Sequence, residues 1–214
     1  MKQEDTKNKI IEAALTLFAA RGYDAVSVGE IAAAVGIRAP SLYNHFTGKK
    51  AIFDAIVEDT ERRYDAFTAG ISVHVGNFQK DVSVFTGITE KSLAEKVREI
   101  FLYSLHDSRV SAFRRMLTIE QFRSPRLAQM YTERYVERLV RYHRELFVKL
   151  MEVGELKKAD ADSVALMYMA PVMVLLGVCD RQPEREAECL EKLSAHIGLF
   201  YRTYHQIKNE PKTD

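Results

Sequence analysis

The stretch that decides the fold is residues 26–46, Val26-Ser27-Val28-Gly29-Glu30-Ile31-Ala32-Ala33-Ala34-Val35-Gly36-Ile37-Arg38-Ala39-Pro40-Ser41-Leu42-Tyr43-Asn44-His45-Phe46. Ser27 and Glu30 have the spacing of a capping box, in which the serine oxygen takes an orphan N–H and the glutamate reaches back to the cap. Val28, Ile31, Ala32 and Val35 then repeat at helical spacing, so a short helix follows. Gly36 ends it, since glycine adopts a positive φ at little cost. Pro40 opens the next helix, where a missing N–H is no loss. Leu42 and Phe46 anchor that helix, about residues 40–45. Two short helices joined by a glycine turn, the second with a polar tip, make a helix-turn-helix.

Helical periodicity continues on both sides of this core. Upstream, Ile11, Ala14, Leu15 and Phe18 share one face of a helix over about 6–21, with Gly22 beyond its end. Downstream, Thr47 is the expected cap of a fourth helix with Ile52, Phe53, Ile56 and Val57 inward. Residues 70–88 break the pattern: Gly70, Gly76 and Gly87 interrupt an alternation at Val73, Val75, Val82 and Val84, which predicts a loop with a short extended piece. Leu93, Val97, Ile100, Phe101 and Leu105 restore the helical period, and another helix is expected over about 108–122. Ser124-Pro125 marks a boundary, because the residue before proline avoids the helical region. A long helix to about Val153 should turn Val136, Leu139, Val140, His143, Leu146, Phe147 and Leu150 inward, before Gly154. Asp160 or Asp162 should cap a helix that is apolar nearly all round. The last helix, about 184–208, carries Leu190, Leu193, Ile197, Phe200, Tyr204 and Ile207 at alternating spacings of three and four, a heptad-type seam. The expected fold is all-α, about nine helices, with a helix-turn-helix domain over 1–50 and a helical bundle over 51–214.

Bulk properties exclude several classes. The chain has 214 residues, of which 47% are hydrophobic and 29% charged, an ordinary globular balance. Its net charge is only +1, too little for a protein that binds nucleic acid by charge alone, although residues 1–50 hold seven Lys/Arg against five Asp/Glu. The two cysteines, Cys179 and Cys189, form no C-x-x-C pair and predict neither zinc nor a disulfide framework. The start, Met1-Lys2-Gln3-Glu4-Asp5, is polar, unlike a signal peptide. The longest apolar run, Val164–Cys179, falls short of the ~20 residues of a membrane span. A soluble, cytoplasmic protein is expected. No G-x-G-x-x-G, P-loop, H-E-x-x-H or G-x-S-x-G occurs, and Asp160-Ala161-Asp162 reads as capping rather than as catalytic carboxylates. No enzyme, cofactor or metal is called for.

The residue types on the second short helix suit a major groove. Arg38, Ser41 and Asn44 have the donors and acceptors for base edges, and Ala39 and Pro40 suit a thymine methyl. Tyr43 and His45 suit phosphate oxygens. Lys49 and Lys50 open the fourth helix, where the dipole also favours an anion, and Ser27 holds the corresponding place on the preceding helix. A plain helical bundle with polar decoration satisfies the same periodicity.

Residues 10–56 resemble the DNA-binding domain of the TetR family of transcriptional regulators. The likeness rests on Ile10-Ile11-Glu12-Ala13-Ala14-Leu15-Thr16-Leu17-Phe18, Gly22-Tyr23, Val26-Ser27-Val28-Gly29-Glu30-Ile31-Ala32, Val35-Gly36-Ile37, Ser41-Leu42-Tyr43-Asn44-His45-Phe46 and Lys49-Lys50-Ala51-Ile52, in that order and spacing. The resemblance implies an all-helical homodimer on a palindromic double-stranded operator, mostly repressing, and releasing DNA when a small molecule enters the C-terminal domain. By position it assigns Ser27, Tyr43 and His45 to phosphates, Ala39, Pro40 and Ser41 to bases, and Lys49 to the start of helix four. Asn44 departs from the aromatic residue common there.

The resemblance also implies dimerisation through the last two helices, with Met173, Leu190, Leu193, Ile197, Phe200 and Tyr204 as candidates; the competing reading is the chain's own core. Tyr103, Phe113, Tyr135, His143, Met167 and Tyr168 are candidates to line the pocket of an unidentified, largely apolar effector. His106, Tyr131 and Met169 are weaker ones. A core or surface position is the competing reading of each, and His143, on an apolar face, is the best polar candidate. A helical sensor without sequence-specific DNA recognition is the alternative function.

Overall fold

In a computed structural model of the chain, residues 2–206 are described. The helices are α1 (Lys2–Arg21), α2 (Val28–Val35), α3 (Ala39–Tyr43), α4 (Lys49–Gly70), α5 (Phe78–Phe85), α6 (Glu90–His106), α7 (Ser108–Glu120), α8 (Pro125–Thr132), α9 (Arg138–Glu152), α10 (Ala161–Arg181) and α11 (Glu186–Tyr204). A π-helical turn, Glu133–Glu137, joins α8 to α9, and a 3₁₀ turn, Pro183–Arg185, precedes α11. Among the described residues there is no strand, only an isolated antiparallel bridge between Leu156 and His205.

Packing groups the chain into two compact units. One holds the residues up to Ala66 with His106–Thr132; the other holds Phe67–Leu105 with the residues from Glu133 on. The functional division expected at residue 50 therefore falls inside the first packing unit.

In the first unit α1 buries Ile10, Ala14, Leu15 and Phe18, α2 buries Ile31 and Ala32, α3 buries Leu42, and α4 buries Ile52, Phe53 and Ile56. Phe113, Met116 and Leu117 of α7 complete this core, with the Phe53 and Phe113 rings 6.1 Å apart. The capping box forms: Glu30 N donates to Ser27 Oγ at 3.2 Å, and Ser27 N donates to Glu30 Oε2 at 2.8 Å. Gly36 ends α2 at φ 77°. Gly22 ends α1 at φ +87°, a conformation that L side chains rarely adopt, and a Cβ there would also meet the tip of the Glu120 side chain at 2.5 Å. The first bond of α4 runs from Ile52 N to Gly48 O, so Gly48 and not Thr47 holds the cap position. Asp59 is buried; burial pushes its carboxyl up, but the guanidiniums of Arg109 (2.8 Å) and Arg63 (3.0 Å) outweigh this and hold it below the usual range.

In the second unit α9, α10 and α11 pack side by side, with α5 against α9. Residues 78–85, expected in a loop, are helical. The reason is a polar cluster that periodicity does not show. The side chain of Asp81 is fully buried and accepts from the backbone N–H of His74 (2.7 Å), from His74 Nδ1 (2.7 Å) and from the Tyr142 hydroxyl. The π turn explains a second difference. It inserts an extra residue into the period, so Tyr135 is buried and Val136, expected inward, is 41% exposed. Asp160 caps α10 by accepting from Ser163 N at 3.0 Å, and Asp162 pairs instead with Arg144 at 2.8 Å.

α10 corrects one expectation. At 21 residues it is long and apolar enough to cross a membrane, because the helix, Ala161–Arg181, extends past the apolar run Val164–Cys179 on both sides. Pro171 lies inside it, and Val164, Ala165, Tyr168, Met169, Leu175, Leu176 and Cys179 are buried against its neighbours. Cys179 and Cys189 are free and share one apolar cluster; burial, then the neighbouring thiol, pushes Cys179 up to about 12.

Candidate nucleic-acid interface and effector cavity

α3 is short, and buried Leu42 and Phe46 pin it from one side. The opposite side is open: Arg38, Pro40, Ser41, Tyr43 and Asn44 are exposed, and Ala39 and His45 are half-buried. No hydrogen bond or ion pair among the described residues engages the side chains of Arg38, Ser41, Tyr43, Asn44 or His45. Arg38 sits at the cap position in extended backbone, with no side-chain cap bond. The arrangement holds a rigid backbone against the core and leaves donors and acceptors unspent, as base readout requires.

Three other candidates are engaged within the chain. Lys49 Nζ donates to the carbonyls of Tyr23 (2.9 Å) and Asp24 (3.3 Å) and lies 4.5 Å from the centre of the Tyr23 ring. It therefore braces the turn after α1 onto α4. Lys50 pairs with Asp54 at 2.6 Å and stays exposed. The Ser27 hydroxyl both accepts from Glu30 N and donates to the Glu30 carboxylate. That carboxyl is pushed down to about 2 by the Ser27 N–H, then by Arg21 and the Ser27 hydroxyl. The N-terminus of α2 thus already faces a carboxylate, which would repel a phosphate.

The candidate pocket residues divide. A cavity of about 40 Å³ in the second unit is lined by His143 and Tyr168, joined by Phe85, Ile88, Glu155, Tyr201 and others. The remaining candidates lie elsewhere. Tyr103 stacks on Phe67 with ring centres 3.9 Å apart, Phe113 belongs to the core of the first unit, Tyr135 is buried beside Arg134, and Met167 is 50% exposed. Sequence reasoning missed Phe85 and Ile88 because Phe85 ends, and Ile88 follows, the misread α5. It missed Glu155 and His205 because their loop is held by backbone bonds, from Lys157 N to Tyr204 O and from Gln206 N to Glu155 O.

The seam on α11 is also corrected. Leu193, Ile197 and Phe200 are buried within the chain, and Met173, Leu190 and Tyr204 pack partly against the same clusters. Leu193, Ile197 and Phe200 are therefore the chain's own core, while Met173, Leu190 and Tyr204 stay half-buried. Ile207 lies outside the described residues. The exposed apolar side chains of these helices are instead Leu166, Met167 and Val174 of α10 and Leu199 of α11.

Comparison with known proteins agrees with this geometry. The family model for bacterial regulatory proteins of the tetR family matches residues 10–56. The model for the C-terminal domain of AefR-like transcriptional repressors matches residues 93–205, just over half of the chain. IcaR of Staphylococcus aureus, the negative transcriptional regulator of the biofilm operon icaADBC, is 46% identical over 52 residues, 24% of this chain and 28% of that protein. The chain thus matches little more than a quarter of that relative's length. YttP of Bacillus subtilis, named as an HTH-type transcriptional regulator, is 24% identical over 204 residues, 94% of this chain and 89% of its own. Among solved structures, SmeT in complex with triclosan has a TM-score of 0.66 at 21% identity, covering 98% of this chain and 96% of its own. SmeT is the repressor of a multidrug efflux pump of Stenotrophomonas maltophilia. At that identity the likeness establishes a shared fold.

Proposed function

Because the chain belongs to the tetR family of bacterial regulatory proteins, DNA-binding transcription regulators rather than enzymes, we propose that it is a ligand-released repressor that binds a palindromic operator as a homodimer. The observation that carries this reading is the open side of α3, where Arg38, Ser41, Tyr43, Asn44 and His45 keep their side-chain polar groups unspent. Arg38, Ser41 and Asn44 read base edges, Ala39 and Pro40 meet methyl groups, and Tyr43, His45 and Lys50 hold phosphates. Lys49 and Ser27 serve by fixing the turns on which these residues stand.

The partner copy packs on Leu166, Met167, Val174 and Leu199, an apolar face on the last two helices. This face also accounts for the hydropathy of α10 without a membrane, and the protein works in the cytoplasm. Two α3 helices then enter major grooves about 34–36 Å apart. A small, largely apolar effector, of the kind SmeT holds in its triclosan complex, occupies the cavity of the second unit. It binds a conformer that suits DNA poorly, so effector and operator compete through one equilibrium.

Selection from a random duplex library by the purified protein near physiological salt tests the reading. Enrichment of a palindrome is expected. A folded, dimeric protein that enriches nothing would sink it in favour of a sensor without sequence-specific DNA recognition.

A further inference from the structure

We propose that the cavity at His143 takes a small, uncharged aromatic molecule carrying one N–H or O–H donor, and that the Nε2 atom of His143 accepts that hydrogen. The proposal rests on the reading of the second unit as effector-binding and names the chemistry of its ligand.

The imidazole is fixed from one side. Its Nδ1 lies 2.8 Å from the Leu139 carbonyl oxygen. A carbonyl only accepts, so Nδ1 carries the hydrogen. Burial holds the ring's pKa down to about 4, so it is neutral near pH 7 and Nε2 presents a bare lone pair. No group among the described residues reaches Nε2, and the Tyr168 hydroxyl likewise has no partner among them. The Tyr168 and His143 ring centres are 4.9 Å apart, so two unspent polar groups share one apolar chamber.

The surroundings set the rest of the ligand. Leu146, Phe147, Leu150 and Phe200 supply apolar and aromatic wall, which favours a ring. No lysine or arginine lines the cavity, and Glu155, buried, already accepts from Gly87 N at 3.0 Å. Apart from His143, the one other imidazole on the wall is His205, so an anionic ligand would meet a carboxylate with no lysine or arginine to offset it. The cavity of about 40 Å³ admits roughly one water as it stands, so an aromatic ring enters by pushing the lining apart. A lone buried water is the rival occupant.

Phenol, toluene and benzoate, similar in size, separate these cases on the full chain. Calorimetric titration should show phenol binding roughly tenfold more tightly than toluene, the worth of one hydrogen bond, and benzoate not binding. In protein with ¹⁵N-labelled histidine, phenol should move the Nε2 resonance of His143 and toluene should not. In His143→Phe the preference for phenol should vanish. Equal affinities in the unmodified protein, a preference that survives His143→Phe, or no phenol binding at all would each overturn the assignment, the last leaving a water as the occupant. If the variant does not fold, the Nε2 resonance decides alone. Phenol that binds without loosening operator DNA would overturn the effector reading and leave this site standing. Operator release by other compounds, with no phenol binding, would do the reverse.

Discussion

The two packing units are specified in different ways. In the first, around α2 and α3, single residues carry single obligations: Ser27 caps, Gly36 and Gly22 turn, and Leu42, with Phe46 just beyond the helix, anchors α3. In the second, α9, α10 and α11 run for 15, 21 and 19 residues and are packed along their buried faces. α2 and α3, eight and five residues long, bury too little to hold themselves and depend on caps and turns, whereas long helices are held by their packed faces. A motif is therefore informative in the first unit, and register is informative in the second.

Four measurements press on that contrast. Leu42→Ala should be the most costly, about 2–5 kcal/mol by urea unfolding, since a fully buried leucine is the main anchor of a five-residue helix. A loss below 1 kcal/mol would show that neighbouring residues share its role. The second is a pH effect in the other unit. The folded pKa of His143, about 4, lies below the unfolded value of about 6.5, so the unfolded chain binds the proton first. Its contribution is intact above pH 6.5 and lost as pH falls toward 4. Between pH 7 and pH 5 the protein should lose about 2 kcal/mol more than His143→Phe does. Parallel pH profiles would contradict the buried neutral ring.

Third, Lys49→Ala and Tyr43→Ala should both weaken binding to every DNA sequence, but only Lys49→Ala should also cost stability, about 1 kcal/mol, because only Lys49 braces the Tyr23 turn. Equal stabilities would return Lys49 to a purely DNA-facing role. Smallest in energy, Ser41→Ala should leave stability within about 0.5 kcal/mol and change which bases are preferred. A uniform loss on all sequences would assign Ser41 to phosphate instead.

The sequence was legible where a local rule acts. The capping box, the two glycine turns, the Ser124-Pro125 boundary and the buried faces of α1, α2 and α4 all follow from spacing. It was opaque where distant residues decide. Val82 and Val84 look like a strand until Asp81 is seen accepting from Tyr142, 61 positions away. Val136 looks inward until the π turn shifts the count. The seam on α11 was correctly periodic, but periodicity does not say whether a face meets another chain or its own. In the recognition surface, residue types pointed to α3 but could not show that Lys49 and Ser27 were already committed. In the cavity, His143 stood out as a polar group on an apolar face and Tyr168 was one aromatic candidate among several, while Phe85, Glu155 and His205 came from loops and from a helix that spacing misread.

The void beside His143 also has a mechanical consequence. Unfolding eliminates it, and the volume change on unfolding grows with such internal space. Hydrostatic pressure therefore favours states of the second unit in which the chamber is flooded or collapsed. A ligand that fills the chamber removes that volume difference, so an occupied protein should withstand higher pressure than an empty one.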